Sequence, residues 1–198
     1  MGRSILIIVL LSFFLVGADH VDKYNRAIHF GGWIDADGDG QNTREEVLER
    51  QSLVKVKKDK NGKIIYGVWY CRYTGRLYDN PKVLDIDHYV PLREAYYSGA
   101  YKWDRKKRKQ YANYLNDKNH LIVVYGQSNK EKGAKDITEW LPLIGEEEYI
   151  IDWYKIKQNW FLCFDMKEKI LLEHYGIVAM NICGEKNEKK QKKKKTKN

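Results

Sequence analysis

The chain has little cysteine, with three residues in 198: Cys71, Cys163 and Cys183. None of them forms a Cys-x-x-Cys pair, which excludes a zinc knuckle. In an oxidising compartment, three cysteines predict one disulfide and one free thiol. Three pairings are possible, and the sequence does not select among them.

Long hydrophobic runs are also scarce. Residues 5–16 are almost wholly apolar, follow Arg3 and lead into the small residues of 16–18, a pattern typical of a secretory signal. We therefore predict a signal peptide over residues 1–18 and an extracellular location. The alternative is an uncleaved membrane anchor, although the run is short for a span of roughly 20 residues. No later segment is apolar enough to cross a bilayer.

The net charge of +9 is unevenly distributed. Residues 185–198 contain eight lysines and two glutamates and contribute +6, and Arg3 contributes +1. The rest of the chain is only weakly basic, so charge alone says little about the partners of the folded part. We predict that residues 181–198 form a disordered tail that binds nucleic acid, acidic glycans or a cell surface. The alternative is a solvated tail that only aids solubility.

The periodicity of the remaining chain predicts one α+β domain over residues 19–180. Alternating apolar residues on either side of a turn at 59–62 predict a hairpin over residues 53–70. Asp165, with Glu168 three residues later, predicts a capped helix start. The other periodic segments predict helices at 44–51, 92–98 and 103–115, a strand at 119–124, a helix start within 126–135, and two helices within 147–175.

Residues 35–46 follow the pattern of a calcium loop. Its expected ligands and turn are Asp35, Asp37, Asp39, Gly40 and Glu46, at positions 1, 3, 5, 6 and 12. Two features oppose this interpretation. Asn42 stands at position 8, which is usually apolar, and the two glycines within residues 29–32 are incompatible with an incoming helix. Ca²⁺ at this loop is therefore possible but not favoured.

The richest cluster of reactive side chains lies in residues 85–92. Asp87 and His88 are neighbours, so on a strand their side chains point to opposite faces, and Pro91 favours a turn that brings both into one site. About 40 residues later, a second polar cluster at 128–133 follows the apolar run 121–124. An acid–His pair, a strand and an asparagine near the start of a helix are typical of a one-metal site that cleaves phosphodiesters.

Three motifs in this region resemble the HNH nucleases of the His-Me finger, or ββα-metal, class. They are Asp87-His88-x-x-Pro91, Asn119-x-Leu121-x-x-Val124 and Asn129-x-x-x-Gly133. A longer likeness, to small secreted HNH proteins of bacteria and fungi, runs from about residue 33 to about residue 175. It rests on segments 43–48, 73–75, 85–95, 103–113, 128–136 and 139–142. The resemblance implies a ββα-metal core with an N-terminal hairpin and flanking helices.

The resemblance also implies roles for four residues. His88 would be the general base that takes a proton from the attacking water. Asp87 and Asn129 would hold one divalent ion, Mg²⁺ by expectation and Mn²⁺ as the alternative. Asn119 would orient His88. The alternatives without a catalytic role are a structural histidine for His88, a turn aspartate for Asp87 and a helix cap for Asn129.

Other residues have less central expected roles. Arg44, Arg105 and Arg108 would contact substrate, and Asp85 and Glu94 would support the metal ligands through hydrogen bonds or additional coordination. Glu131 is an alternative to Asn129.

The expected substrate is DNA rather than RNA, with little sequence preference because no module that reads a groove is visible. The rival hypothesis is a non-catalytic secreted module that binds calcium through residues 35–46 and polyanions through its lysine tail. In the proteins that the chain resembles, the acidic segment precedes the HNH core without a paired calcium loop. This resemblance makes calcium the secondary hypothesis.

Overall fold

The computed structural model of the chain describes residues 21–184, so the predicted signal peptide and the lysine-rich run from residue 185 lie outside the described residues. Short helices and strands form a mixed α+β fold, which confirms the predicted class. The helices are α1 (Arg26–His29), α2 (Thr43–Gln51), α3 (Leu92–Tyr97), α4 (Arg105–Ala112), α5 (Gly126–Lys132), α6 (Glu146–Asn159) and α7 (Met166–His174). The strands are β1 (Lys57–Lys58), β2 (Ile64–Tyr66), β3 (Trp69–Cys71), β4 (Arg76–Tyr78), β5 (Leu84–His88) and β6 (Leu121–Tyr125). Within residues 21–184, no helix has both the length and the apolar character needed to cross a membrane.

The centre of the fold is the antiparallel pair of β5 and β6. Its register runs from Leu84 opposite Tyr125 to His88 opposite Leu121. Helix α5 starts directly after β6 and packs against both strands. Gly126 permits this approach, since a Cβ there would lie 3.3 Å from the Asp85 carboxylate. The result is a strand–strand–helix unit.

The predicted hairpin over residues 53–70 forms only in part. Strands β1 and β2 pair around the predicted turn, but β3 separates from them and pairs with β4 instead. Trp69 accounts for the division, because its indole is fully buried and donates from Nε1 to the carbonyl of Leu48 at 2.7 Å. Burying this large side chain against α2 draws the chain away from the first hairpin.

The predicted helices are present, and residues at their ends supply local signals for where they begin or stop. Helix α3 ends before Gly99, whose φ of +126° favours glycine. Asp104 caps α4 by accepting from the backbone N–H of Lys107 at 2.7 Å. Asp165 and Glu168 form the predicted reciprocal capping box at the start of α7.

A disulfide joins Cys163 to Cys183 and leaves Cys71 as a buried free thiol. Ile182 forms a parallel bridge with Phe164 beside this bond. Folded structure therefore extends at least to residue 183, beyond the domain boundary predicted at 180. The disulfide selects one of the three pairings that the sequence left open.

Two buried clusters surround the central strands. The larger is rich in aromatic side chains, among them Tyr73, Tyr89, Tyr149 and Trp153. The smaller lies between α2 and the β5–β6 pair and contains Leu48. Together they hold the strand–strand–helix unit rigidly from both sides.

Candidate active site

A cavity of about 240 Å³ lies where β5 ends and α5 faces it. Asp87, His88 and Asn129 all line this cavity. The antiparallel pairing of β5 and β6 explains why these residues lie together. Helix α5 follows β6 directly, so the residues of α5 return to the end of β5. The structure therefore brings together three of the four residues with predicted catalytic or metal-binding roles.

His88 is the last residue of β5 and is held on two sides. Its Nε2 lies 2.8 Å from the carbonyl oxygen of Ala112, and its ring stacks on the indole of Trp33 at 5.1 Å and 10°. Because a carbonyl oxygen only accepts, Nε2 carries the proton and Nδ1 keeps its lone pair. Burial holds the pKa of His88 well below its usual value, with smaller contributions from His120 and Arg26. The imidazole is thus neutral at pH 7 and able to accept a proton.

The Ala112 carbonyl is held in place through the next residue, Asn113. The Asn113 Oδ1 accepts from the Thr43 hydroxyl at 2.8 Å and from the backbone N–H of Ile34 at 3.2 Å. Its Nδ2 donates to the carbonyl of Lys109 at 3.0 Å. Asn113 therefore locks the loop after α4 to the chain before α2.

Asn119, in contrast, does not reach His88. It lines a different cavity of about 580 Å³, and its Oδ1 accepts from the guanidinium of Arg72 at 3.2 Å. The predicted orienting role of Asn119 is corrected: the backbone carbonyl of Ala112 bonds the ring instead. The physical reason is that β6 starts at Leu121, so Asn119 lies beyond the paired strands.

Asp87 forms a buried ion pair that sequence reasoning missed. Its Oδ2 lies 2.7 Å from the Nζ of Lys132 and accepts from the Tyr73 hydroxyl at 2.5 Å. Lys132 is fully buried and also donates to the carbonyl of His88 at 3.0 Å. Burial raises the pKa of Asp87, and Lys132 and Tyr73 oppose that change. Lys132 stands one helical turn after Asn129, a spacing that could have indicated that both side chains face β5.

Asn129 lies within α5 rather than at its start, where Tyr125 is the N-cap. The alternative role of Asn129 as a helix cap therefore does not hold. Its Nδ2 donates to the Oδ2 of Asp85 at 3.2 Å. Asp85 and Asp87 share one face of β5, as the alternation of a strand requires. Asp85 thus orients Asn129, in line with the supporting role expected for it.

The other two acidic candidates lie elsewhere. Glu94 accepts from the Nζ of Lys157 at 2.8 Å, within a buried network that includes Glu168. Glu131 is exposed and accepts from Gln127 at 3.2 Å. Neither lines the cavity, so the roles expected for them are not supported by their positions.

Two of the three predicted substrate-binding arginines are bound to backbone. Arg44 donates to the carbonyls of Pro81 and Leu84 at 3.2 and 2.8 Å and so braces the start of β5. Arg108 donates from Nε to the carbonyl of His29 at 3.1 Å and from Nη1 to the carbonyls around residues 100–103. Arg105 is exposed on α4. Of the three, Arg105 is the most exposed.

Arg26 and Arg93 line the cavity, although no motif singled them out. Both side chains are exposed. The Arg26 guanidinium lies 5.4 Å from the centre of the Trp33 ring, which itself stacks on His88. Arg93 is only five residues after His88, but the position of Arg26 depends on how α1 packs, so sequence spacing carried no signal for Arg26.

The acidic loop gathers its carboxylates on the surface. Ligand atoms of Asp35, Asp37 and Asp39 lie within 4.8 Å of one another, and all three residues are exposed. The pKa of Glu46 is raised by burial and then by these three aspartates. Its Oε1 is enclosed and has no hydrogen-bond partner in the described part of the chain. The one-turn helix α1 reaches His29, so the expectation for residues 29–32 holds only from Phe30 onward, and no helix leads directly into the loop.

No protein family model matches this sequence, and no solved structure matches it. The chain is 34% identical over 153 residues to an uncharacterized secreted protein of Arthroderma benhamiae. The aligned segment covers 76% of this chain and 73% of that relative. This relationship confirms the predicted extracellular location.

Proposed function

This chain belongs to the family of the secreted Arthroderma benhamiae protein, and we propose that it acts outside the cell as a metal-dependent endonuclease with a ββα-metal core. The proposed reaction is hydrolysis of phosphodiester bonds in DNA. One observation carries the proposal: Asp87, His88 and Asn129 come from β5 and α5 to line one cavity. A hydrolytic site needs a neutral base beside oxygen ligands, and this cavity provides both.

His88 is the proposed general base. Its Nδ1 accepts the proton of a water molecule as the water oxygen attacks phosphorus, and the ring becomes an imidazolium. The Ala112 carbonyl supports that charged state, because it accepts a hydrogen bond from Nε2. Stacking on Trp33 fixes the plane of the ring and hence the direction of Nδ1.

The donor set fits a hard divalent ion. Asp87 offers Oδ1, which makes no hydrogen bond with any residue among 21–184, and Asn129 offers its amide oxygen. Carboxylate and amide oxygens suit Mg²⁺ or Mn²⁺, and a site with two protein ligands leaves room for water and phosphate oxygens. A bound ion would stabilise charge on the phosphate and on the leaving 3′ oxygen. Lys132 neutralises part of the Asp87 charge, so we expect weak metal affinity.

The test is nicking of supercoiled plasmid DNA with Mg²⁺, with and without EDTA, and with an RNA substrate in parallel. Replacing His88 with alanine should lower the cleavage rate by ~10²–10⁴. The matched control is His174→Ala, since His174 is exposed at the end of α7 and does not line the cavity. A His88→Ala protein with most of the wild-type activity, or cleavage that persists in EDTA, would refute the proposal.

The rival function is a non-catalytic calcium-binding module with a polyanion-binding tail. The observation that favours it is the convergence of Asp35, Asp37 and Asp39. The same assay separates the two functions. A wild-type protein that cleaves neither DNA nor RNA with Mg²⁺ or Mn²⁺, yet unfolds at a higher temperature in Ca²⁺, would support the rival.

A further inference from the structure

We infer that Arg26 and Arg93 form the phosphate-binding edge of the cavity and hold the substrate strand beside the bond that is cut. The ligand class is a phosphodiester anion. The inference rests on the proposed nuclease function and replaces Arg44 and Arg108 as the expected substrate contacts.

The two guanidinium groups are available to a ligand. Both side chains are exposed and line the cavity, and the Arg26 guanidinium lies over the Trp33 ring. An arginine fork matches two oxygens of a phosphate group. The guanidinium groups of Arg44 and Arg108 instead donate to backbone carbonyls of their own fold.

Among the described residues that line the cavity, positive side chains outnumber negative ones. Asp87 is the one carboxylate among its lining residues, and it is already paired with the buried Lys132. The pair is close to neutral as a unit, and the Asp85 carboxylate beside Asn129 offsets one of the two arginines, so the cavity edge keeps a net positive charge. A positive edge on an otherwise weakly basic domain favours an anionic ligand at this place.

Arg26 is also coupled to the proposed base. Its guanidinium lies over Trp33, and the same indole stacks on His88. A phosphate bound by Arg26 would therefore lie close to His88, where the attacking water needs it. Helix α4 packs against α1 through the Arg108–His29 hydrogen bond. The exposed α4 residues Lys106 and Lys109 line a separate cavity.

The experiment measures oligonucleotide binding and cleavage by Arg26→Gln and Arg93→Gln proteins. Binding of a fluorescent DNA oligonucleotide is followed by anisotropy in EDTA over a range of KCl concentrations. Each substitution should weaken binding about tenfold at low salt and reduce the slope of log K against log[salt] by about one. In Mg²⁺, KM should rise while kcat changes little, because the arginine–phosphate contact stabilises the bound substrate and the transition state equally. The matched control is Arg76→Gln, an exposed arginine on β4 that does not line the cavity.

The outcomes separate this inference from the nuclease proposal. If wild-type protein cleaves DNA and both variants bind and cleave like Arg76→Gln, the inference is overturned and the nuclease stands. If wild-type protein cleaves nothing but both variants lose oligonucleotide binding, the phosphate site stands and the nuclease fails. Thermal unfolding of each variant checks that a loss of binding does not come from a loss of folding.

Discussion

Replacing Lys132 with methionine should lower the free energy of unfolding, because it removes the partner of Asp87 in a buried ion pair. The Lys132 side chain is fully buried, its partner carboxylate is 7% exposed, and the two charged atoms lie 2.7 Å apart. Methionine has a similar length, so little volume is lost, but Asp87 keeps its charge without a partner. Removing one member of a buried ion pair costs about 3–5 kcal/mol. For a domain of this size, that cost corresponds to a fall in Tm of roughly 10 °C.

The loss should depend on pH and on Mg²⁺. Without Lys132, the pKa of Asp87 in the folded state rises further above its unfolded value. The folded variant then binds more protons, so its stability falls as pH rises through that window and the defect is smaller at pH 5 than at pH 8. If Asp87 is a metal ligand, Mg²⁺ can replace the missing cation and should raise the Tm of Lys132→Met more than that of the wild type.

The assay is equilibrium unfolding of the wild type and the variant at pH 5 and pH 8, with EDTA or Mg²⁺. Lys157→Met is the matched control. Lys157 is equally buried and lies 2.7 Å from the carboxylate of Glu168, but it does not line the cavity. It should lose similar stability without recovering in Mg²⁺. Equal Mg²⁺ responses in the two variants would refute Asp87 as a metal ligand, and an unchanged Tm in Lys132→Met would refute the energetic argument.

Two further predictions concern protonation and the metal site. Burial lowers the pKa of His120 to about 4, so the unfolded chain binds more protons below pH 6.5 and the protein should lose about 3 kcal/mol of stability between pH 7 and pH 4. In His120→Gln, denaturant unfolding should show a visibly smaller loss over that range, and an unchanged loss would contradict the assignment. Asp87→Ala and Asn129→Ala should each raise the Mg²⁺ concentration for half-maximal cleavage. Asp87→Ala should have the larger effect because it removes a formal charge. The double substitution of Asp35 and Asp37 by alanine should leave that curve in place, and a shift seen only there would move the catalytic ion to the loop.

Local sequence determined much of the central architecture. The apolar run 121–124 between two polar clusters predicted β6 and the helix after it, and the Asp165–Glu168 spacing predicted the cap of α7. The positions of Asp87, His88 and Asn129 in their motifs predicted a shared site, and the three residues do line one cavity. These features depend on periodicity and on residues near one another along the chain, which a sequence shows directly.

Tertiary packing alone decided which groups complete the site. Ala112, and not Asn119, orients His88, because the loop after α4 returns to the end of β5. Every residue has a backbone carbonyl, so the residue type at position 112 could not have indicated this contact. Lys132 neutralises Asp87 because α5 folds back across both strands and buries its ammonium group. The bond between Cys163 and Cys183 likewise joins two segments that no local pattern brings together. Composition and spacing therefore predicted the elements of this protein, while the packing of helices on the β5–β6 pair determined which side chains and carbonyls meet at the candidate site.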